Sequence, residues 1–172
     1  NKYELIDLVP RQKVAIKDTS LTVTAFSLSH PLESTAFIIE KDNDIFVYFG
    51  DTGPDIVEQQ GKLEKIWVYL AAQLKTKRLR GLIIEVSFDN QRPDNLLFGH
   101  LTPKYLIQEL TRFYQLLDSK HQLTQAKIII SHIKYGLAAG ISPREKIAQQ
   151  LKQENKLGLE LILAEQGQRL EL

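Results

Sequence analysis

Apolar and polar positions alternate in the first third of the chain and then recur at helical spacing. Residues 21–28, LTVTAFSL, alternate with period two, which predicts a strand with one buried face. Ser29-His30-Pro31 breaks it. Residues 35–39 predict another strand, Lys41 to Asp44 a turn, and residues 45–49 a strand returning as a hairpin. Apolar clusters at residues 3–9 and 13–16, around Pro10, predict two more short strands. From residue 55 the period changes. Leu63, Ile66, Trp67, Leu70 and Leu74 predict one amphipathic helix over residues 55–77. A buried strand over residues 82–86 follows Gly81. Thr102-Pro103 then opens a helix whose inward face carries Leu106, Leu110, Phe113 and Leu117. Residues 128–130 predict a strand, Ser142-Pro-Arg-Glu145 a capping box, and Gly158 the end of that helix. Residues 159–164 and 168–172 predict a strand pair turning at Gln166-Gly167. Antiparallel strands followed by a strand–helix alternation imply a mixed α/β domain whose sheet is largely parallel, with helices on one face.

Composition narrows the function classes. A chain of 172 residues with 43% hydrophobic content can bury one core. No apolar run approaches the ~20 residues of a membrane span, so no membrane partner is expected. With no cysteine there are no disulfides and no thiolate metal sites. That absence does not fix the compartment; a cytoplasmic protein is expected, with the periplasm also allowed. The net charge is +1, and Lys75, Lys77, Arg78 and Arg80 form the only basic cluster, so a nucleic-acid footprint is not indicated. The chain contains no methionine, and it is expected to begin inside a longer gene product.

The candidate chemistry lies at the ends of the predicted strands. Asp51 follows the strand at 45–49, Glu85 sits near the end of the strand at 82–86, and His132 ends the strand at 128–130. His30 stands at a strand break and His100 just before a helix, whereas His121 lies in a polar stretch and reads as a surface residue. The carboxyl ends of sheet strands are where open α/β folds place their ligands. Imidazole nitrogens and a carboxylate suit zinc, manganese or iron, and two such ions can activate water and clamp a phosphoryl group. Two histidines and one bridging aspartate do not fill a two-metal site, and no HxHxDH or HExxH motif is present.

The ordered set Ser29-His-Pro31, Ser34-Thr-Ala-Phe-Ile-Ile39, Phe49-Gly-Asp-Thr-Gly-Pro-Asp55, Glu85-Val-Ser-Phe88, Gly99-His-Leu-Thr-Pro103 and Ile130-Ser-His-Ile-Lys134 resembles the class II 3′,5′-cyclic-nucleotide phosphodiesterases of the metallo-β-lactamase superfamily. The resemblance runs through nearly the whole chain, down to Glu165-Gln-Gly-Gln-Arg169. It implies an αββα sandwich of which residues 1–172 are the C-terminal half, without the HxHxDH portion. It also implies metal ligation by His30, Asp51 and His132, with Asp51 bridging two divalent ions, zinc first and manganese or iron as alternatives. His100 would assist proton transfer to the leaving oxygen, supported by Glu85. The implied substrate is a cyclic nucleotide. The alternatives are a tRNA 3′-end-processing endonuclease of the same superfamily and a non-catalytic binding or assembly domain. One sheet face left uncovered would favour pairing with a second copy or with the remaining half.

Overall fold

The structure, a computed structural model, describes residues 6–135 and 140–172. Seven strands form one sheet in sequence order: β1 (Lys13–Ala15), β2 (Leu21–Ser27), β3 (Thr35–Lys41), β4 (Asp44–Phe49), β5 (Arg78–Glu85), β6 (Lys127–Ser131) and β7 (Glu160–Leu163). β1 to β4 are antiparallel, and β4 to β7 are parallel. The parallel crossovers carry α1 (Asp55–Glu58) and α2 (Lys62–Gln73), then α3 (Pro103–Leu116) and α4 (His121–Thr124), then α5 (Pro143–Glu154). The parallel part grows in one direction only. Crossovers of one hand therefore lay their helices on the same face.

Register separates the two faces. Thr24, Ile38, Val47, Leu82 and Ile128 are direct neighbours across five strands, and all are buried. The four apolar members apart from Thr24 pack with Leu63, Trp67, Leu106, Leu110, Phe113 and Ile147 from the helices into one core. Trp67 is fully buried, stacked on Phe113 at 4.9 Å between centroids and tilted against Phe49 at 5.4 Å. Burying a side chain of that size stabilises by about 3–5 kcal/mol relative to alanine. The next row, Ala25, Phe37, Tyr48, Ile83, Ile129 and Ile162, points the other way. None of these six belongs to the helix-side core.

Three predicted elements need correction. The single helix over 55–77 is two helices, because Gln59 and Gly61 adopt left-handed φ values of 54° and 58°. The break lets the Asp55 carboxylate cap α2, accepting from the Leu63 amide at 3.1 Å and the Glu64 amide at 2.7 Å. Residues 168–172 form no strand. A tight turn closes from the Gln168 amide to the Glu165 carbonyl at 3.1 Å, and Lys127 Nζ donates to the Glu171 carbonyl. This holds the tail near Gly81 on the uncovered face. Of the strand predicted over 3–9, residues 3–5 lie outside the described residues, and Ile6 to Val9 are not in a strand. β5 also starts at Arg78, earlier than the apolar run, because Arg80 is an extra residue at a bulge. The caps at Thr102 and Ser142 form as their sequences indicate.

Candidate active site

Five ionisable residues meet at the carboxyl edge of the sheet. β2, β4, β5 and β6 all point the same way and end at this edge, so the residues that follow them converge. His30 lies past β2, Asp51 past β4, Glu85 ends β5, and His132 follows β6. His100 arrives from the loop before α3. Loop-to-loop contacts set their spacing. The Gly53 amide donates to the Ser29 carbonyl at 2.7 Å, and the Thr52 amide donates to Glu85 Oε1 at 3.1 Å. Gly99, at φ 75°, has no room for a side chain. A Cβ there would lie 2.8 Å from His30 Cα and 2.7 Å from Pro31 Cδ. Glycine thus brings the His100 loop against the His30 loop.

The buried pair is His100 and Glu85, 4% and 1% exposed. His100 Nδ1 lies 2.7 Å from Glu85 Oε1, so this nitrogen donates to the carboxylate. Ser87 Oγ lies 3.3 Å from the same nitrogen and donates to the His132 carbonyl at 3.1 Å. His100 Nε2 faces Lys134 Nζ at 2.9 Å. The His30 ring stands edge-on to His100 at 5.1 Å between centroids, and the His132 ring stacks on it at 5.5 Å. His132 has a left-handed φ of 53°, a costly conformation for a non-glycine residue, and its Nε2 lies 3.4 Å from Asp51 Oδ2.

The donor set fits a divalent cation. His30, Asp51 and His100 each offer one atom, all within 4.8 Å of one another. Asp51 pairs with no lysine or arginine among the described residues; its one ion-pair contact is His132. A carboxylate among imidazoles is the chemistry that holds zinc, manganese or iron. His100 is nonetheless a poor third ligand, since Glu85 occupies one ring nitrogen and an ammonium the other. His132, facing Asp51 across 3.4 Å, is the better placed donor. His121 lies in α4, with Leu79, Arg80 and Lys127 lining the same surface cavity, away from this cluster. Sequence reasoning assigned no role to the Thr52 amide, Ser87, Phe88 or Lys134. Ser87 and Lys134 belong to stretches that carry the resemblance, but neither residue type signals chemistry by itself.

The fold, a mixed sheet with helices on one face, is of the metallo-β-lactamase type. The metallo-β-lactamase fold protein YhfI from Bacillus subtilis superposes with a TM-score of 0.61 over 92% of this chain and 52% of that one; at 16% identity the likeness is of fold alone. The chain belongs to the class II cAMP phosphodiesterase family, which matches residues 3–167. A 3′,5′-cyclic-nucleotide phosphodiesterase of Aliivibrio fischeri is 42% identical over 173 residues, covering 99% of this chain and 52% of the relative. A probable 3′,5′-cyclic-nucleotide phosphodiesterase of Yersinia pestis is 40% identical over 166 residues, 96% of this chain and 48% of the relative. Unliganded yeast PDE1 superposes with a TM-score of 0.80 at 28% identity over 93% of this chain and 48% of that one. The chain therefore spans about half the length of the relatives it matches. Among the described residues, no helix is long and apolar enough to cross a membrane.

Proposed function

We propose that this chain is part of a metal-dependent phosphodiesterase that hydrolyses 3′,5′-cyclic nucleotides to 5′-nucleotides. The observation that carries the reading is the buried His100–Glu85 pair, 2.7 Å apart, set beside His30, Asp51 and His132 at one sheet edge. His30, Asp51 and His132 would hold divalent ions, with Asp51 between two of them and zinc favoured over manganese or iron. When bound, such ions activate water and clamp phosphoryl oxygens. The protein's own part is orientation and proton transfer. Glu85 accepts from Nδ1 and fixes the His100 ring, so that Nε2 is the nitrogen that would pass a proton to the departing ribose 3′-oxygen. Ser87 and the Thr52 amide hold the pair in place. The family match favours this reading over tRNA 3′-end processing and over a non-catalytic binding or assembly domain.

Two histidines and one aspartate leave a two-ion site short of donors. We read the 172 residues as the C-terminal half of the enzyme, with the other ligands supplied by an HxHxDH-bearing half that covers the Phe37, Tyr48 and Ile83 face. The test compares the intact gene product with the 172-residue chain. The intact protein should convert cyclic AMP or cyclic GMP to the 5′-nucleotide and lose that activity to a chelator. The chain alone should be inactive, bind zinc weakly and sediment as a dimer or larger, because its second sheet face is partly open, with Tyr48 46% exposed. Cleavage of pre-tRNA with no cyclic-nucleotide turnover would overturn the substrate reading. Robust turnover by a monomeric 172-residue chain would overturn the half-enzyme reading.

A further inference from the structure

Two cations stand over one aromatic ring beside His100. Lys134 Nζ lies 4.9 Å from the Phe88 centroid and 2.9 Å from His100 Nε2. Arg92 Cζ lies 4.4 Å from the same centroid, and its Nε donates to the Leu96 carbonyl at 2.9 Å. Neither has a carboxylate within ion-pair distance among the described residues. Both line a cavity of about 380 Å³ that includes Ser87 and Phe88, which touch His100. Asp89 also lines it, but Lys146 pairs with that carboxylate at 3.0 Å.

The chemistry of Lys134 is unfinished as it stands. An ammonium has three donors, and here it has one imidazole nitrogen and a ring face. Among the described residues it keeps two N–H groups and its full charge for a ligand. Being half-buried, it can make a stronger anion contact than a lysine in open water. A compact point charge suits a tetrahedral phosphate oxygen, which accepts from any direction. Arg92, whose Cζ lies 4.4 Å from the centroid of the same ring, adds a second positive charge.

We propose that Lys134 is an anion-binding residue, holding a non-bridging oxygen of a phosphodiester beside His100 Nε2, with Arg92 as the second cation over Phe88. The proposal rests on the phosphodiesterase reading for its substrate and, for its site, on two cations over one ring that have no carboxylate partner among the described residues. On ligand entry the ammonium moves from imidazole to phosphate.

The test uses the intact gene product as wild type, Lys134→Ala, Lys134→Arg and Arg92→Ala. The readouts are kcat and KM for cyclic AMP and for bis(p-nitrophenyl) phosphate, affinity for adenosine 5′-monophosphate by calorimetry, and metal content. Lys134→Ala should raise KM and weaken nucleotide binding about 10–100-fold with metal content unchanged. Lys134→Arg should recover most of that binding, and Arg92→Ala should show a smaller loss of the same kind. A lower kcat with unchanged KM and unchanged nucleotide affinity would mean that Lys134 only positions His100, and the proposal would fall. A wild type that cleaves the nitrophenyl diester but no cyclic nucleotide would remove the substrate reading alone, and KM for that diester would still decide the role of Lys134. A wild type that binds neither would overturn both.

Discussion

Glu40 and Glu85 are the same residue type at opposite edges of one sheet, and their neighbours give them opposite roles. Both are almost fully buried, at 3% and 1% exposure. Glu40, near the end of β3, lies between two ammonium groups: Lys13 at 2.7 Å, and Lys77 from the approach to β5. Burial pushes its carboxyl up, but the two lysines outweigh burial and hold it below the ordinary value. Glu85, at the end of β5, meets an imidazole and a backbone amide instead. A carboxylate locked between permanent cations does nothing except hold strands and loops together. A carboxylate facing an imidazole can support a proton that comes and goes. Asp51 follows the same rule, since its partner is His132 and not a lysine or arginine. Each edge can therefore be read from what stands opposite its acids.

The widest separation between the two edges should appear in turnover. In the intact gene product, His100→Ala should lower the rate about 10²–10⁴-fold. Metal content should be retained, because both ring nitrogens of His100 already have partners. Glu40→Ala should leave the rate near wild type. Loss of metal in the His100 variant, measured by elemental analysis, would move His100 from proton transfer to ligation and weaken the contrast.

Stability should show the reverse. Glu40→Ala leaves two lysines without their shared carboxylate. The expected cost is about 1–3 kcal/mol, at the low end because Lys13 is 41% exposed and screened by solvent. Chemical denaturation of both proteins at neutral pH measures it. An unchanged midpoint would show that the triad contributes no net stability.

The smallest effect is in pH dependence, where two buried carboxylates should slope in opposite directions. Glu40 has a lowered folded-state value, so its contribution is present above the ordinary value of 4.5 and is lost as pH falls through the folded value. Glu109 in α3 behaves the other way. Burial pushes its carboxyl up, and the charge of Asp55 adds to this against the pull of Arg112. It accepts from the Asp55 amide at 3.1 Å and from Trp67 Nε1 at 3.3 Å. Its folded form keeps a proton that the unfolded chain loses near 4.5, so its contribution declines as pH rises from there. Denaturation curves from about pH 4 to 8 on wild type and Glu109→Gln should show a shallower decline with rising pH in the variant. Parallel curves would mean that Glu109 does not titrate differently in the two states.

The sequence by itself determined the central strands and most helix starts, because period-two alternation in residues 21–28 and caps such as Thr102-Pro103 are local signals. It also put Asp51, Glu85 and His132 at strand ends, since an apolar run and the residue that stops it are adjacent in the chain. It could not show that helix 55–77 breaks at Gly61, because the gain is a long-range one: Asp55 is freed to cap α2 and Glu109 takes the Asp55 amide. Nor could it show that the tail turns back instead of pairing. Only the tertiary structure decided which acids meet lysines and which meet imidazoles. Glu40 and Lys77 are 37 residues apart, and His100 and Lys134 are 34 apart. No local pattern links such pairs. Parallel strand order and loop contact bring them together, and that company fixes the use of each group.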